Sequence, residues 1–146
     1  MKSRPLGKAR FYKLNLKNPY ARKTAELLLM EEANQHQRWV DEFKELFQQI
    51  NIAILFGSII KNEKKAKDTD LLLVYPENKN KEVNALIKEK NELLIKKIHL
   101  VKQTKEDLIK SLKKKDKVIL DAIRTGVVLH GFQELVELIK HVRSKE

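Results

Sequence analysis

Two short and almost wholly apolar runs lie near the middle of the chain, at residues 52–56 and 70–75. Their length and their branched and aromatic side chains predict buried β-strands. The second run is apolar at nearly every position, which predicts a central strand. Less apolar runs at residues 97–101 and 127–131 predict two further strands. Apolar residues recur at helical spacing in the remaining segments, at residues 81–90, 104–112, 118–124 and 132–142.

The first third of the chain predicts a strand followed by a long helix. Residues 8–16 partly alternate between apolar and polar side chains, as a strand does. Asn18 suits a helix N-cap and Pro19 suits the first helical position. Apolar residues then follow helical spacing through residues 20–49, and the polar sequence at residues 34–37 marks a bend or break.

Three aromatic side chains of this helix, those of Trp39, Phe43 and Phe47, allow two interpretations. They either cover the sheet within one chain or line a seam between two copies, which would make a homodimer. Helical spacing alone is compatible with both.

The elements together predict an α/β (α+β) fold. We expect a small mixed β-sheet with helices packed on one face, preceded by the N-terminal strand and the long helix. We expect residues 1–18 to form an extension and residues 19–146 to form one domain.

Composition restricts the class of protein. The 146 residues suffice for one domain with a hydrophobic core. Cysteine is absent, which excludes disulfides and a thiolate zinc site. The apolar runs are too short to cross a bilayer, and the first residues lead into no apolar stretch. We therefore expect no membrane association and a cytoplasmic location.

The formal net charge of +11 is unevenly spread along the chain. Residues 1–25 hold eight Lys and Arg residues and no acid, whereas residues 26–50 are acidic. A lysine-rich solvated surface explains such a balance, and so does attraction to nucleic acid or to nucleotide phosphates.

The candidate chemistry lies around the two central strands. Gly57 and Ser58 follow the first strand, and a glycine beside a small hydroxyl residue lets the backbone approach a phosphate. Asp68 and Asp70 open the second strand two residues apart, so their carboxylates would point the same way. Two convergent carboxylates are costly unless a divalent cation binds them. The pattern therefore predicts a site for a metal-bound nucleoside triphosphate.

The order Phe56-Gly57-Ser58 followed by Asp68-Thr69-Asp70 and an apolar strand resembles the signature of the polymerase-β-like nucleotidyltransferase superfamily. The chain is most similar to its small members, the minimal nucleotidyltransferases. The resemblance extends over about residues 50–131 and includes the predicted strand at 97–101 and a helix-Gly-strand-Gly sequence at 122–131. It implies transfer of a nucleoside monophosphate from a triphosphate, with ATP expected, to a hydroxyl of a protein, an RNA or a small molecule.

By this resemblance, Gly57 and Ser58 would contact the triphosphate, while Asp68 and Asp70 would hold Mg²⁺ or Mn²⁺. The resemblance also implies a helical partner protein of the HEPN type, as in toxin–antitoxin pairs. Four lysines of the intervening loop could assist with phosphates or could simply be solvated, namely Lys61, Lys64, Lys65 and Lys67. Of these, Lys61 and Lys67 are the candidate nucleotide-binding residues.

One position departs from the family pattern. Catalytic members carry a third carboxylate on the third strand, where this chain has His99. A histidine is a poor ligand for Mg²⁺, but it could act as a general base or recruit Mn²⁺. Alternatively, the third carboxylate is lost and catalysis is weak or absent. The acids Glu106 and Asp107 instead suit the start of the next helix, where the sequence from Thr104 to Asp107 resembles a capping box.

The sequence therefore also allows a regulator on the same fold that binds nucleotide or nucleic acid without efficient catalysis. The N-terminal sequence from Gly7 to Asn15, followed by Asn18-Pro19, resembles the second wing strand of a winged-helix DNA-binding domain. It could be a remnant of such a wing or a strand that pairs with a neighbouring subunit.

Overall fold

The computed structural model describes residues 13–144. Its four strands are Ile52–Phe56 (β1), Thr69–Val74 (β2), Ile98–Gln103 (β3) and Val127–His130 (β4). Seven α-helices lie within the described range: Pro19–Asn34 (α1), Gln37–Phe43 (α2), Ser58–Lys61 (α3), Asn80–Leu93 (α4), Lys105–Lys113 (α5), Lys117–Thr125 (α6) and Phe132–Ser144 (α7). Short 3₁₀ turns cover Lys44–Gln48 and Glu77–Lys79. The predicted mixed α+β class is confirmed.

The four strands form one mixed sheet in the order β3-β2-β1-β4. Strand β1 pairs antiparallel with both β2 and β4, and β2 pairs parallel with β3. The prediction that the second apolar run is a central strand is confirmed for β2, and β1 is the other inner strand. Their outer partners are the short β4 and the more polar β3.

Helices cover both faces of the sheet, so the prediction that they pack on one face is wrong. On one face, which we call face A, Ile52, Ile54 and Leu72 pack with α1, α5, α6 and α7. On the other, face B, Ala53, Leu55 and Leu71 pack with α2, α3 and α4. The physical reason is that β1 is buried at all five positions. A strand without polar positions needs apolar cover on both sides.

The long helix predicted for residues 20–49 is divided into α1, α2 and a 3₁₀ turn. The break lies at the polar sequence, where the amide of His36 donates to the carbonyl of Ala33 at 2.9 Å. Helix α1 packs on face A and α2 on face B, and both contact the edge strand β4. The chain must therefore turn at the β4 edge of the sheet, which a continuous helix cannot do.

The N-terminal strand predicted for residues 8–16 lies mainly outside the described residues. Residues 13–16 are within them and are not strand: they are part of a helical end and a turn. Leu16 is nonetheless buried against face A. The predicted cap is confirmed, because the Asn18 carboxamide accepts from the amides of Tyr20 and Ala21, with Pro19 first in α1.

The aromatic side chains of residues 39–47 belong to the core of a single chain. Trp39 and Phe43 are buried, and they stack with ring centroids 6.1 Å apart. They pack against the sheet on face B, which confirms the intramolecular interpretation for these two residues. Phe47 is half-buried and stacks on His130, with ring centroids 4.6 Å apart.

None of the helices described within residues 13–144 is both long and apolar enough to cross a membrane.

The stacked His130 makes stability dependent on pH. Burial lowers the pKa of His130 below its ordinary 6.5, and nearby Glu134 and the Ile50 backbone offset only part of that effect. The folded state therefore binds a proton at His130 less readily than the unfolded state does. The contribution of His130 to the free energy of unfolding therefore decreases as the pH falls through about 6.5.

We expect urea unfolding to show a smaller loss of stability between pH 7.5 and 5.5 in His130→Gln than in the wild type. His141→Gln is the matched control, since His141 is exposed on α7 and its removal should leave the loss nearly unchanged. Equal losses in the wild type and in His130→Gln would contradict the assignment to His130.

Candidate functional site

Three residues at one end of the sheet form a row across its strands. In the register of the sheet, Phe56 of β1 lies opposite Asp70 of β2, and Asp70 lies beside His99 of β3. Residues opposite one another point to the same side of a sheet, and the alternation of β1 and β2 places this side on face A. Phe56 is buried, the Asp70 side chain is 24% exposed and that of His99 is 67% exposed. The row therefore leads from the core to solvent.

Gly57 makes room for the Asp70 carboxylate. Its φ of +80° lies in the left-handed region, where glycine is favoured. A Cβ atom at this position would lie only 2.2 Å from Oδ2 of Asp70. The sequence indicated that Gly57 lets the backbone approach a phosphate. The geometry gives a second reason for glycine at this position, which sequence reasoning missed: the Asp70 carboxylate occupies the space that a Cβ atom would need. Ser58 follows as the exposed first residue of α3.

His99 forms a hydrogen bond with Asp70. Nδ1 of the ring lies 3.0 Å from Oδ1 of the carboxylate. An ionised carboxylate only accepts, so the proton of this bond is on Nδ1, and in the neutral ring Nε2 is then the acceptor. The two oxygens of Asp70 are thus distinguished: Oδ1 faces the imidazole and Oδ2 faces Gly57.

Asp68 lies in a bend just before β2 and is exposed. Within residues 13–144 its side chain makes no hydrogen bond or ion pair. The residue between the two aspartates, Thr69, is buried at 1% exposure. Its amide donates to the Lys97 carbonyl at 2.9 Å, and its hydroxyl donates to the Lys96 carbonyl at 3.3 Å. Thr69 therefore joins the start of β2 to the start of β3. Sequence reasoning missed this role, because Thr69 lies between two aspartates and no local pattern distinguishes it.

The loop between α3 and β2 is anchored through Glu63. The carboxylate of Glu63 accepts from Arg38 of α2, and its backbone carbonyl accepts from the Lys96 ammonium. By contrast, Lys61, Lys64, Lys65 and Lys67 are exposed. Among the described residues, Lys61 and Lys67 form no ion pair, so their charges are available to an incoming anion.

The acids nearest in sequence after His99 are at the wrong end of the sheet. Strand β3 runs from Ile98 to Gln103, so Glu106 and Asp107 lie past the end opposite to His99. Asp107 forms the predicted capping box: it accepts from the Thr104 amide at 3.1 Å, and its own amide donates to the Thr104 hydroxyl at 3.0 Å. The Thr104 amide hydrogen bond holds the pKa of Asp107 below its usual 3.8.

The carboxylates at the site suit a cation that also binds substrate phosphates better than a metal ion bound by protein groups alone. Within residues 13–144, no three or more His, Asp or Glu side chains are grouped closely enough to hold a metal ion. Mg²⁺ commonly binds through only one or two carboxylates and completes its coordination with substrate phosphates and water. Asp70, with the exposed Asp68 two residues before it, meets that requirement as a donor set.

Comparison with known proteins gives one family. The family model described as "Polymerase beta, Nucleotidyltransferase" matches residues 39–134, which is 96 of the 146 residues. The match includes β1–β4 and every residue of the row across the sheet. No curated protein and no solved structure matches the chain significantly.

The contact between Gly57 and Asp70 can be tested by a double-mutant cycle. We expect Gly57→Ala to lower the free energy of unfolding by about 1–3 kcal/mol, since it adds both a strained φ and the clash with Oδ2. In an Asp70→Ala background the clash is absent, and the same substitution should cost clearly less. Urea unfolding of the four proteins measures the difference. Equal costs in both backgrounds would show that the carboxylate does not occupy the space beside Gly57.

Proposed function

The chain belongs to the polymerase-β nucleotidyltransferase family, and we propose that it uses a divalent metal ion to transfer a nucleoside monophosphate from a triphosphate to a hydroxyl group. ATP is the first candidate donor. In this reaction the acceptor oxygen forms a bond to the α-phosphorus, the bond to the β-phosphate oxygen breaks, and pyrophosphate leaves. The hydroxyl loses its proton. The observation that carries the proposal is the placement of Asp70 between Gly57 and His99.

In the proposed site, Asp68 and Asp70 hold the metal ion as Mg²⁺ or Mn²⁺. When bound, the ion neutralises charge on the phosphates. Gly57 and Ser58 contact the triphosphate through the backbone, and Lys61 and Lys67 add positive charge on the solvent side. The exposure of Ser58, Lys61 and Lys67 supports this, because all three are accessible to a ligand without rearrangement of the core.

In the same proposal, His99 takes the place of the third carboxylate. Its Nδ1–H is committed to Asp70, so the ring orientation is fixed and Nε2 is the atom that faces away from this bond. Nε2 accepts the proton of the attacking hydroxyl.

A second candidate function is nucleotide binding without efficient transfer, as in a regulator. The observation that favours it is the lack of a third acid near Asp70 in the described part of the chain. The net charge of +11 extends this candidate to nucleic acid as a ligand. The helical HEPN-type partner, a toxin–antitoxin role, a homodimer and a cytoplasmic location stay predictions.

Metal-dependent nucleotide binding is the first test. We expect a non-hydrolysable ATP analogue to bind the wild type with Mg²⁺ or Mn²⁺ and to bind Asp70→Asn about ten-fold or more weakly, since one charged contact is lost. Isothermal titration calorimetry measures both affinities. Glu106→Gln is the control, because it removes an exposed acid outside the site and should leave affinity unchanged. Equal affinity of Asp70→Asn and the wild type would contradict the site.

Substitution of His99 separates the two candidate functions. With ATP labelled at the α-phosphate, the enzyme should transfer label to a protein or RNA fraction, and His99→Ala should reduce this transfer at least about ten-fold while retaining nucleotide binding. His99→Asp should restore transfer in the presence of Mg²⁺, because a carboxylate is a hard oxygen donor that suits this ion. If the wild type binds nucleotide but transfers no label, and only His99→Asp is active, the regulator is the correct assignment.

A further inference from the structure

A second concave site lies on the helical layer of face A. It is a cavity of about 250 Å³ between the C-terminal end of α5, the outer side of α6 and the C-terminal half of α7. Its walls are aliphatic, with Leu112, Leu120 and Ile139 among them. The pocket is open to solvent on one side, and its volume leaves room for a small ligand with an apolar body. None of its lining residues belongs to the row of Phe56, Asp70 and His99.

All the charged residues that line this cavity are cations, namely Lys115, Arg124 and Arg143. Within the described residues, the side chains of Lys115 and Arg124 form no ion pair or hydrogen bond. Arg143 donates to the Leu14 carbonyl at 3.1 Å, so part of its role is to hold the N-terminal segment. An apolar cavity with several cations and no acid in its lining is complementary to an anion with an apolar body.

The backbone of Lys115 provides an independent observation. Lys115 is the one non-glycine residue with positive φ in the described part of the chain, at 58°. It follows the cap of α5 in a Schellman motif: its amide donates to Leu112 at 3.2 Å, and the next amide, of Asp116, donates to Ser111 at 2.9 Å. Glycine is the usual residue at this position because it has no Cβ. Favourable charge at the helix end does not require Lys115, since Lys113 and Lys114 already supply it.

We propose that the cavity binds a small amphipathic carboxylate of the medium-chain fatty acid class. The aliphatic chain lies against Leu112, Leu120 and Ile139, and the carboxylate is held at the cationic rim by Lys115 and Arg124. Lys115 thus adopts a strained backbone conformation, and its side chain places a positive charge at the rim of the cavity.

Calorimetric titration of the full chain with octanoate tests the proposal. Octanoate should bind in a single class of site, at least ten-fold more tightly than 1-octanol, and acetate should give no detectable binding. Methyl NMR should confine the shifts to the cavity, with Ile123, Ile139 and Val142 affected. Absence of octanoate binding would overturn the proposal. Equal binding of 1-octanol would show that the cations take no part, and equal binding of acetate would show a surface anion site.

Variants separate a ligand role from a structural role. Lys115→Gly relieves the backbone strain, so its melting temperature should equal or exceed that of the wild type while octanoate binding weakens about ten-fold. Arg124→Gln should weaken binding to a similar extent. Lys114→Gln, which removes a neighbouring charge outside the cavity, should bind octanoate as the wild type does. Unchanged binding in both Lys115→Gly and Arg124→Gln would overturn the assignment.

Discussion

The Asp70 carboxylate rests beside the bare Cα of Gly57, and the arrangement of the site depends on that contact. The contact exists because β1 and β2 are antiparallel with Phe56 opposite Asp70, which brings the residue after Phe56 next to the aspartate. A slip of one residue in this register would turn Asp70 to face B. The apolar side chains on both faces of β1 and β2 oppose such a slip, since they would all exchange environments. The hydrophobic core therefore fixes the position of the polar site.

The local elements could largely be predicted from the sequence because their signals are short-range. Asn18 and Pro19 start α1, Thr104 and Asp107 cap α5, and Gly126 ends α6. Strand β2 is an inner strand, as its almost wholly apolar composition predicted. The two aspartates and the Gly-Ser turn also lie at one end of the sheet, as their positions relative to the apolar runs indicated.

The features that could not be predicted depend on which elements meet in space. Apolar spacing in residues 20–49 is the same whether one helix covers one face or two helices cover both, so the turn at His36 was visible only as a polar interruption. The hydrogen bond between His99 and Asp70 requires that β3 pair with β2 in a parallel register, which no local pattern specifies. Lys115 has no unusual neighbours in sequence, and only its backbone conformation distinguishes it from the adjacent lysines.

The segment that matches the family is shorter than the folded unit at both ends. The match begins at residue 39 and ends at 134, yet Leu29 of α1 and Ile139 of α7 lie in the same buried cluster as the sheet. Arg22 joins these two helices through Glu137 at 3.4 Å. A protein trimmed to the matched segment would lose α1 and most of α7, and with them the packing of α1 on β4 and on α7. The two outlying helices are therefore part of the hydrophobic core that supports the site, and a domain boundary for expression should be drawn outside them.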